Sequence, residues 1–423
     1  MLQVNFIRQN REWVLERLAV RHFTEPSLVD EIVSLDDMRK RLQTENEALL
    51  ARRNQASKEI GGLMSKGMQA EAEARKAEVT SLKKDIEANE ARLKTLEEDL
   101  QGLLQRIPNL PHVSVPMGRT SDDNEVVRQG GVRPVLQEGA LAHWDLIRKY
   151  DLVDFETGAK LTGSGFPLYK GRGARFQRAL VSYFLDFNTA AGYTEYIPPY
   201  LVNAASAHGT GQLPDKEGQM YHVTEDNLYL IPTAEVPVTN IYRDVILRES
   251  DLPVRMTAHS PCFRREAGSF GKEVRGLNRV HQFEKVEIVE LVHPARSYEA
   301  LEAMVLHVER LIQSLGLEYR ILRLCGGDMG FTSALTYDFE VYSAAQEKWL
   351  EVSSVSNFES FQTNRMKIRF KDADGKSQMV HSLNGSSLAL PRIVAALMEN
   401  NQDAQGIAMP VVLHSYMGGE RLV

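Results

Sequence analysis

The most restrictive feature of the sequence is a pair of heptad repeats between residues 28 and 107. The first series is almost entirely aliphatic and consists of Leu28, Leu35, Leu42, Leu49, Ala56 and Leu63. The second has the same spacing and consists of Ala72, Val79, Ile86, Leu93, Leu100 and Ile107. An apolar residue at every seventh position marks the seam of a helix that packs against another helix. The segment therefore predicts two long helices, each about 50 Å in length at 1.5 Å per residue.

The break between the two series decides how the helices pair. Gly61, Gly62 and Gly67 lie there, and clustered glycines are typical of a chain reversal. The heptads alone favour a dimeric coiled coil, whereas the short glycine-containing break favours an antiparallel hairpin within one chain. A reversal just after Gly67 would bring Asn46 opposite Asn89, and a buried polar pair of this kind fixes the helix register at some cost in stability.

The rest of the chain has a different character. Residues 28–107 contain no aromatic residue, whereas aromatic residues, glycines and alternating apolar patterns return after a stretch rich in prolines and polar residues. We therefore predict an N-terminal domain at 1–110 that carries the hairpin, a linker at about 108–135, and a second domain at 111–423.

Charge and composition exclude several classes of protein. The formal net charge of -7 argues against a generally basic nucleic-acid binder, so any nucleic-acid contact would need local basic patches. The sequence contains no run of about 18 apolar residues, so it predicts no membrane span, and the first residues lack the pattern of a signal peptide. Only Cys262 and Cys325 are present, without a C-x-x-C pair, which predicts neither a disulfide framework nor a structural zinc site. These features predict a cytoplasmic protein.

Charged residues occur at strand spacing between His259 and Glu287. If residues 264–266 end one strand, Arg264 and Glu266 share a face of that strand. If residues 279–291 form the next strand, one face carries Arg279, His281, Phe283 and Glu287, and the other carries Val280, Val286 and Ile288. Taken alone, such alternation is typical of the solvated face of an antiparallel strand.

The residue types in this hairpin also match the chemistry of a particular site. Arginine holds a phosphate through a bidentate fork, a flat aromatic ring stacks on a base, and a carboxylate captures an ammonium or hydroxyl group. The hairpin therefore predicts a site for a nucleotide and an amino acid together. Upstream, Thr233 and Glu235 lie two apart in a segment predicted to be extended, and supply a hydroxyl and a carboxylate for an ammonium group.

Two later segments carry groups suited to phosphates. Glu351 with a nearby serine offers the oxygen ligands that Mg²⁺ prefers, although strict alternation places Ser353, and not Ser354, beside Glu351. Near the C-terminus we predict a strand end, a turn at residues 384 and 385, and a helix with Arg392 near its start. A helix N-terminus beside an arginine favours an anionic phosphate.

These segments resemble the class II aminoacyl-tRNA synthetases, and in particular the seryl-tRNA synthetase family of bacterial type. HSPCFRRE with VHQFEKVE resembles motif 2, and HSLNGSSLALPRIVAALMEN resembles motif 3. IPTAE and residues 173–202, which resemble motif 1, complete a match that covers nearly the whole chain. Motif 3 departs from the family pattern because Ser387 and Pro391 stand where glycine is frequent. The resemblance implies an α+β fold, in which an N-terminal two-helix coiled-coil arm is followed by a catalytic domain built on a mixed, mainly antiparallel β-sheet flanked by helices.

The resemblance also implies the activity. Serine is activated with ATP to seryl-adenylate and transferred to the 3′ end of tRNA(Ser), and also of tRNA(Sec) where that tRNA exists. Mg²⁺ is the implied cofactor, and a homodimer formed through motif 1 is the implied assembly. Residues 208–214, HGTGQLP, predict a loop, which the resemblance places near the serine pocket as a mobile element.

Site residues carry over one by one from the family pattern. The implied catalytic pair is Arg264 and Arg392. The implied serine site consists of Thr233, Ala234, Glu235, Arg264, Glu287, Asn384 and Ser386. The implied ATP site consists of Arg264, Arg265, Glu266, Val280, Phe283, Glu351, Val352, Ser353, Ser354 and Arg392. The implied metal ligands are Glu351 and Ser354.

In this family the arm contacts the long variable arm of the tRNA. Basic residues in the distal half of the predicted hairpin are candidates for that contact: Arg52, Arg53, Lys58, Lys66, Arg75, Lys76, Lys83 and Lys84. Acidic residues are interleaved with them, so an ordinary solvated helix surface is the alternative interpretation.

Three other functions share part of this pattern. A class II synthetase for threonine, proline or histidine would be expected to carry a C-terminal anticodon-binding domain after motif 3. A non-catalytic tRNA-binding homologue would be expected to lose charges such as Arg264, Glu351 and Arg392. A homologue that aminoacylates a carrier protein would be expected to lack the long hairpin.

Overall fold

A computed structural model describes residues 1–215, 217–266 and 275–423 of the chain. These residues form two compact units, one made of residues 1–19 and 23–108 and the other of residues 20–22 and 109–423. Residues 267–274, between the two predicted strands of motif 2, lie outside the described residues.

The α-helices of the described residues are α1 (Val4–Gln9), α2 (Arg11–Val20), α3 (Leu28–Ser65), α4 (Gln69–Leu104), α5 (His143–Lys149), α6 (Phe155–Leu161), α7 (Gly171–Ala190), α8 (Ala204–Thr210), α9 (Glu235–Asn240), α10 (Ser297–Ser314), α11 (Phe361–Met366), α12 (Leu390–Asn400) and α13 (His414–Met417). Within this part of the chain, no helix combines the length and apolar character needed to cross a membrane.

The strands are β1 (Glu125–Gly130), β2 (Val153–Asp154), β3 (Leu168–Tyr169), β4 (Thr194–Tyr196), β5 (Leu201–Asn203), β6 (His222–Val223), β7 (Leu228–Leu230), β8 (Ile246–Arg248), β9 (Val254–Phe263), β10 (Gln282–Val292), β11 (Tyr319–Arg323), β12 (Leu335–Ser343), β13 (Lys348–Asn357), β14 (Arg369–Lys371), β15 (Ser377–Met379), β16 (His381–Ala389), β17 (Gln402–Asp403) and β18 (Gly406–Ile407).

Helices α3 and α4 form the antiparallel hairpin of the first unit. Ion pairs cross between them at 2.6 Å from Arg52 to Glu78 and at 3.0 Å from Arg75 to Glu59. Gly67 makes the turn with a φ of +75°, in the left-handed region that favours glycine. The hairpin interpretation is therefore confirmed.

The role predicted for the other two glycines in the reversal was wrong. Gly61 and Gly62 lie inside α3, and a Cβ added at either would meet no other atom within 4 Å. Glycine costs a helix about 1 kcal/mol per residue relative to alanine. Pairing with α4 along the heptad seam outweighs that cost, so the helix continues for another turn before it reverses.

Burial along the hairpin follows the predicted heptads. Within the two helices, every second member of each series is buried and the intervening members are half-buried; the buried ones are Leu28, Leu42, Ala56, Ala72, Ile86 and Leu100. Ile107, which follows the end of α4, is also buried. Asn46 and Asn89 are also buried, at 6% and 8% exposure. The Oδ1 atom of Asn46 accepts no hydrogen bond from any described residue. A buried polar group without a partner destabilises the hairpin.

The second unit is built on one large sheet. Its strand order is β1-β11-β12-β13-β16-β10-β9-β4, and only the terminal pair of β4 and β9 is parallel. Helices α7, α10 and α12 contribute Phe176, Phe184, Leu311 and Ile393 to the same core as Phe339 of strand β12. The predicted α+β class with a mainly antiparallel sheet is confirmed.

Local limits differ from the sequence predictions at several points. Strand β1 lies within the segment predicted as a linker and pairs with β11 at the sheet edge. The motif 1 segment forms α7, a glycine turn at Gly192 with a φ of +89°, and strand β4. Strand β16 continues through Asn384 and Gly385, so the turn predicted there is wrong. A Cβ on Gly385 would lie 3.0 Å from Val355, which explains a glycine in an unbroken strand.

We predict that replacing both seam asparagines with leucine stabilises the hairpin. The Asn46→Leu, Asn89→Leu chain should exchange the amide hydrogens of α3 and α4 more slowly, by a factor that corresponds to roughly 1–2 kcal/mol. Hydrogen exchange measured by mass spectrometry on the full chain provides the readout. The exposed Asn54→Leu substitution is the matched control and should leave the rates unchanged. Faster exchange in the double variant would contradict the predicted burial cost.

Candidate active site

A cavity of about 570 Å³ opens on the sheet of the second unit. Its walls come from the ends of β9 and β10, the middle of β13 and β16, and the first turns of α9 and α12. The cavity brings together most of the predicted site residues: Thr233, Glu235, Arg264, Glu266, Val280, Phe283, Glu287, Glu351, Val352, Ser353, Ser354, Asn384, Ser386 and Arg392. This volume is typical of a small-molecule site.

Two predicted site residues lie outside the described lining. Ala234 is completely buried and packs with Val238 and Met256 in a hydrophobic cluster. Arg265 is exposed, and its backbone N–H donates to the carbonyl of Gln219 over 2.9 Å. Neither side chain faces the cavity.

One end of the cavity carries an arginine beside an aromatic ring. The Arg264 guanidinium carbon lies 5.3 Å from the ring centre of Phe283, and Arg264 Nε donates to the Pro232 carbonyl over 3.4 Å. The Glu266 carboxylate pairs with Arg279. A flat ring flanked by an arginine and a carboxylate suits a base that carries an amino group.

The strand geometry predicted for this end was wrong. Strand β9 stops at Phe263 and β10 starts at Gln282, so Arg264, Glu266 and Arg279 lie beyond the regular ladder. Glu266 has a φ of +48°, a conformation that strand alternation does not describe. Its backbone N–H donates to Gln219 Oε1 over 3.1 Å, so tertiary hydrogen bonding, and not strand alternation, places it.

Arg392 also lines the cavity, in the first turn of α12. Its Nε atom donates to the Asn278 carbonyl over 3.0 Å, and Nη1 donates to the Glu351 carbonyl over 2.8 Å. Pro391 is accommodated at the second helical position, where a backbone N–H has no helical partner. The fixed guanidinium and the helix N-terminus together favour an anion.

A β-bulge in β13 brings Glu351 and Ser354 to one side of the sheet. Phe339 pairs with Ser353 and Glu340 pairs with Glu351, which leaves Val352 as the extra residue. One extra residue reverses the alternation, so positions three apart share a face. This is the irregularity that the family pattern required and that strict alternation excluded.

Asp338 pairs with Ser354 across the ladder, so the two side chains share a face of the sheet. Burial, followed by the charge of Glu351, raises the pKa of the Asp338 carboxyl well above its usual range, while a hydrogen bond from Ser354 opposes that shift. The Asp338 carboxyl therefore accepts a hydrogen bond from Ser354 beside the bulge.

The remaining end of the cavity contains two buried carboxylates. Glu287 is 1% exposed and Glu235 is 6% exposed. Glu287 Oε2 accepts from Thr233 Oγ1 over 3.0 Å, and Glu287 Oε1 accepts from Asn384 Nδ2 over 3.2 Å. Glu235 Oε1 accepts from Gln362 Nε2 over 2.6 Å. These carboxylates can bind one ammonium group and one hydroxyl group.

The protonation of Glu235 depends on its burial beside Glu287. Burial, and next the charge of Glu287, raise the pKa of the Glu235 carboxyl to about 7, although the hydrogen bond from Gln362 and the charges of Lys285 and Arg264 oppose the rise. Two like charges in one buried cavity disfavour full ionisation. A cationic ligand would restore the ionised form.

The segment that holds Glu235 also departs from the predicted geometry. Glu235 begins α9, so Thr233 and Glu235 are not two residues of one extended strand. The Thr233 hydroxyl instead accepts a hydrogen bond from the Glu235 N–H over 3.2 Å at the start of the helix. Pro237 fits because it lies in the first turn, where proline is tolerated.

Residues 208–214 only partly form the predicted loop. His208, Gly209 and Thr210 belong to α8, which ends at Gly211 with a φ of +92°. Gln212 follows in the loop and lines the cavity. Thr332 lies 2.3 Å from the position of a Cβ on Gly211, which excludes larger residues at this helix end.

Ser387 does not face the cavity. It is fully buried, and its hydroxyl donates to Asn188 Oδ1 over 2.9 Å on the other face of β16. Its neighbour Ser386 lines the cavity, because adjacent strand residues point to opposite faces. The serine at 387 therefore replaces glycine at a packing position and does not narrow the site.

Sequence reasoning missed several lining residues, and Lys285 and Asn278 are the most informative. Lys285 lies midway between Phe283 and Glu287 on β10, so the period of two applied to that strand identifies it. Asn278 lies in a short 3₁₀ helix, Gly276–Asn278. No periodic pattern in the sequence predicts that Asn278 lines the cavity.

A buried pair supports that short helix. The Leu277 N–H donates to His143 Nε2 over 2.9 Å, so the ring proton lies on Nδ1, which donates to Glu399 Oε1 over 2.7 Å. His143 and Glu399 are both fully buried. Because Asn278 in turn holds Arg392, the pair fixes the wall of the cavity on which the arginine depends.

The basic residues predicted on the hairpin lie in the first unit, and most are exposed. Acidic neighbours pair with several of them, since Lys76 contacts Glu73 at 2.6 Å and Lys83 contacts Glu87 at 3.9 Å. Lys58, Lys66 and Lys84 are exposed. Neither these three lysines nor the half-buried Arg53 makes an ion pair with the described residues, so the lysines are the least compensated of the exposed cations in this group.

Two family models match the chain. The one described as "Seryl-tRNA synthetase N-terminal domain" matches residues 1–111. The one described as "tRNA synthetase class II core domain (G, H, P, S and T)" matches residues 221–401. The first match contains the helical hairpin, and the second contains most residues of the cavity.

Relatives and solved structures cover the whole chain. Serine--tRNA ligase of Salinibacter ruber is 49% identical, over 100% of this chain and 99% of that protein. Seryl-tRNA synthetase of Pyrococcus horikoshii, solved with ATP, has a TM-score of 0.92 at 34% identity and covers 100% of this chain and 99% of its own. The cytoplasmic Serine-tRNA ligase of Naegleria fowleri, solved with AMP, has a TM-score of 0.87 at 27% identity, over 100% and 98% of the two chains.

The raised pKa of Glu235 predicts a pH-dependent cost to stability. Between about pH 4.5 and pH 7 the folded carboxyl keeps a proton that the unfolded chain loses, so this group lowers stability as the pH rises through that window. Glu235→Gln should therefore raise the free energy of unfolding of the second unit, by up to about 3 kcal/mol above pH 7 and by little below pH 4.5.

Urea unfolding at pH 4.5 and pH 8 measures this difference. Glu195→Gln, at an exposed position on β4, is the matched control and should show no such dependence. An equal effect of Glu235→Gln at both pH values would contradict the assigned burial cost.

Proposed function

The chain belongs to the seryl-tRNA synthetase family, and we propose that it is an ATP-dependent ligase that joins L-serine to the 3′ end of tRNA(Ser) through seryl-adenylate. One observation supports this activity above the others. A single cavity holds a buried pair of carboxylates at one end and an arginine, an aromatic ring and a helix N-terminus at the other. The first end suits a small hydroxy amino acid and the second suits a nucleotide.

Serine binds at the carboxylate end in this account. Glu235 and Thr233 take the ammonium group, and Glu287 accepts a hydrogen bond from the side-chain hydroxyl, with Asn384 and Ser386 completing the pocket. A site built to bond a hydroxyl rejects the analogue without it by ~10⁴ or more, because the buried acceptor is otherwise left unpaired. Alanine is therefore the informative competitor.

ATP binds along the remainder of the cavity. Phe283 stacks on the adenine, Glu266 accepts from its amino group, and Arg392 holds the terminal phosphates from its place at the start of α12. Arg264 lies between the two ends and holds the α-phosphate beside the serine carboxylate. The Arg265 side chain is exposed, so we assign the contact of this residue with ATP to its backbone.

The oxygen ligands around the bulge fit Mg²⁺. Glu351 and Ser354 share a face of β13, and Asp338 lies beside Ser354 on that face and accepts a hydrogen bond from it. No group of three or more His, Cys, Asp or Glu side chains is placed to hold a metal ion within residues 1–215, 217–266 and 275–423. Mg²⁺ needs only one or two protein ligands when phosphates supply the others. When bound, it offsets negative charge on the phosphates.

The first step needs alignment and not a protein nucleophile. The serine carboxylate attacks the α-phosphorus of ATP, and pyrophosphate leaves. Arg264 fixes the attacking and attacked groups together, and Arg392 balances charge on the leaving pyrophosphate. In the second step a hydroxyl at the 3′ end of the tRNA attacks the adenylate carbonyl carbon, and AMP leaves.

We assign tRNA recognition to the N-terminal domain, residues 1–110, and catalysis to residues 111–423. The exposed cations of the hairpin, of which Lys58, Lys66 and Lys84 are the least compensated, contact the backbone of the long variable arm of tRNA(Ser). tRNA(Sec) offers the same backbone phosphates and the same hydroxyl at its 3′ end, so it is a further substrate where it exists. We also propose a homodimer that forms through α7 and β4, in the cytoplasm.

Glu287→Ala should abolish serine activation while ATP binding is retained. We expect serine-dependent pyrophosphate exchange to fall by ~10³ or more, because the substrate hydroxyl loses its acceptor. ATP binding, measured by calorimetry, should change less than threefold. Glu290→Gln replaces a buried carboxyl of the same strand outside the cavity and is the matched control. Serine exchange that survives in Glu287→Ala would overturn the pocket assignment.

Replacing Lys58, Lys66 and Lys84 together with alanine should weaken tRNA charging and leave amino-acid activation unchanged. Each lost phosphate contact should reduce the slope of log affinity against log salt by roughly 0.7–0.9. The comparison uses aminoacylation of a tRNA(Ser) transcript at several salt concentrations, with pyrophosphate exchange as the control. Unchanged charging at every salt concentration would refute the assigned contact.

A further inference from the structure

Lys285 is a buried cation with no role in the function proposed above. It lies on β10 and is only 6% exposed. Lysine is almost never buried without a partner, because an unpaired ammonium loses its hydration. Its partners therefore show what the cation stabilises.

Those partners are residues of the carboxylate end. Lys285 Nζ forms an ion pair with Glu287 Oε2 and donates to Thr233 Oγ1 over 3.0 Å. Thr233 Oγ1 in turn donates to Glu287 Oε2 over 3.0 Å. The three groups thus close a ring of hydrogen bonds on one side of the pocket.

The direction of every bond in this ring is determined by Lys285. An ammonium group can only donate, so the threonine hydroxyl accepts from it and donates its own proton to Glu287. Asn384 Nδ2 adds a further donor over 3.2 Å. Every described contact of the Glu287 carboxyl is therefore with a donor, and the carboxyl is held as an acceptor.

Other charged groups face the same pocket from neighbouring elements. Glu235 at the start of α9 is the opposing like charge, Arg264 after β9 is a second cation, and Cys262 of β9 is a buried thiol. Of the two cations, Lys285 is the one that contacts Glu287 directly. Without Lys285, the Thr233 hydroxyl would be free to turn its proton away from Glu287.

We propose that Lys285 is a positioning residue that sets the polarity of the serine side-chain pocket, by holding Glu287 as an acceptor for a substrate O–H donor. The proposal rests on the proposed function. In this state alanine leaves the remaining acceptor direction of Glu287 without a donor, and cysteine fills it poorly, because a thiol is a weak donor. With the orientation of Thr233 and Glu287 lost, the penalty against alanine would shrink.

The test is tRNA-independent pyrophosphate exchange with L-serine and L-alanine, at saturating ATP and Mg²⁺, on the full chain. Lys285→Met removes the charge and the donors at similar length. We expect its kcat/KM for serine to fall by ~10² and its serine-to-alanine ratio to fall at least ~10-fold.

Control variants separate this role from a general loss of structure. Glu290→Gln should lower stability without changing the serine-to-alanine ratio. Thermal unfolding and ATP binding report whether Lys285→Met folds, and Lys285→Gln, which keeps donors without the charge, makes the same comparison if it does not.

A lower rate with an unchanged serine-to-alanine ratio would mean that Lys285 only maintains the fold, and the proposal would be overturned. If the unsubstituted chain shows no exchange with serine, the proposed function fails and this proposal fails with it. Serine exchange with an unchanged ratio in the variants overturns the Lys285 proposal alone.

Discussion

Two carboxylates buried in one cavity, Glu235 and Glu287, impose the condition that the rest of the catalytic unit satisfies. Carboxylates taken out of water are stable only when donors or cations surround them. Gln362 donates a hydrogen bond to Glu235, while Lys285, Thr233 and Asn384 donate to Glu287. The same donors leave one acceptor direction for a ligand. Selectivity for a hydroxy amino acid and the cost of burying charge therefore have one physical origin.

The sheet makes this arrangement possible. Strand β10 lies between β9 and β16, so Glu287 pairs across the sheet with Ala258 on one side and Ser386 on the other. The bulge in β13 brings Glu351 and Ser354 onto one face, and α12 begins where β16 ends. Groups for the amino acid, the phosphates and the base therefore lie on strands that the antiparallel ladder holds at fixed separations. Such preorganisation is what an alignment mechanism requires.

The sequence predicted the parts of this structure that depend on regular periods. Heptads located α3 and α4 and put Asn46 and Asn89 in the seam, and the period of two put Phe283 and Glu287 on one face. Prediction from the sequence failed where tertiary contacts override the local pattern. Glu266 adopts a positive φ, Glu235 begins a helix, and Gly61 and Gly62 continue one, because contacts distant in sequence decide those conformations. The family pattern located Ser354 where alternation did not, since a bulge leaves no periodic trace in the sequence.

Amino-acid-dependent ATP–pyrophosphate exchange, measured without tRNA on the full chain with each of the twenty amino acids, tests the central claim most directly. The cavity described here predicts exchange with L-serine and, relative to serine, a rate lower by ~10⁴ or more with L-alanine. Exchange with a different amino acid would keep the class of reaction and contradict the pocket. No exchange with any of the twenty, from protein that binds ATP in the presence of Mg²⁺, would contradict the catalytic account.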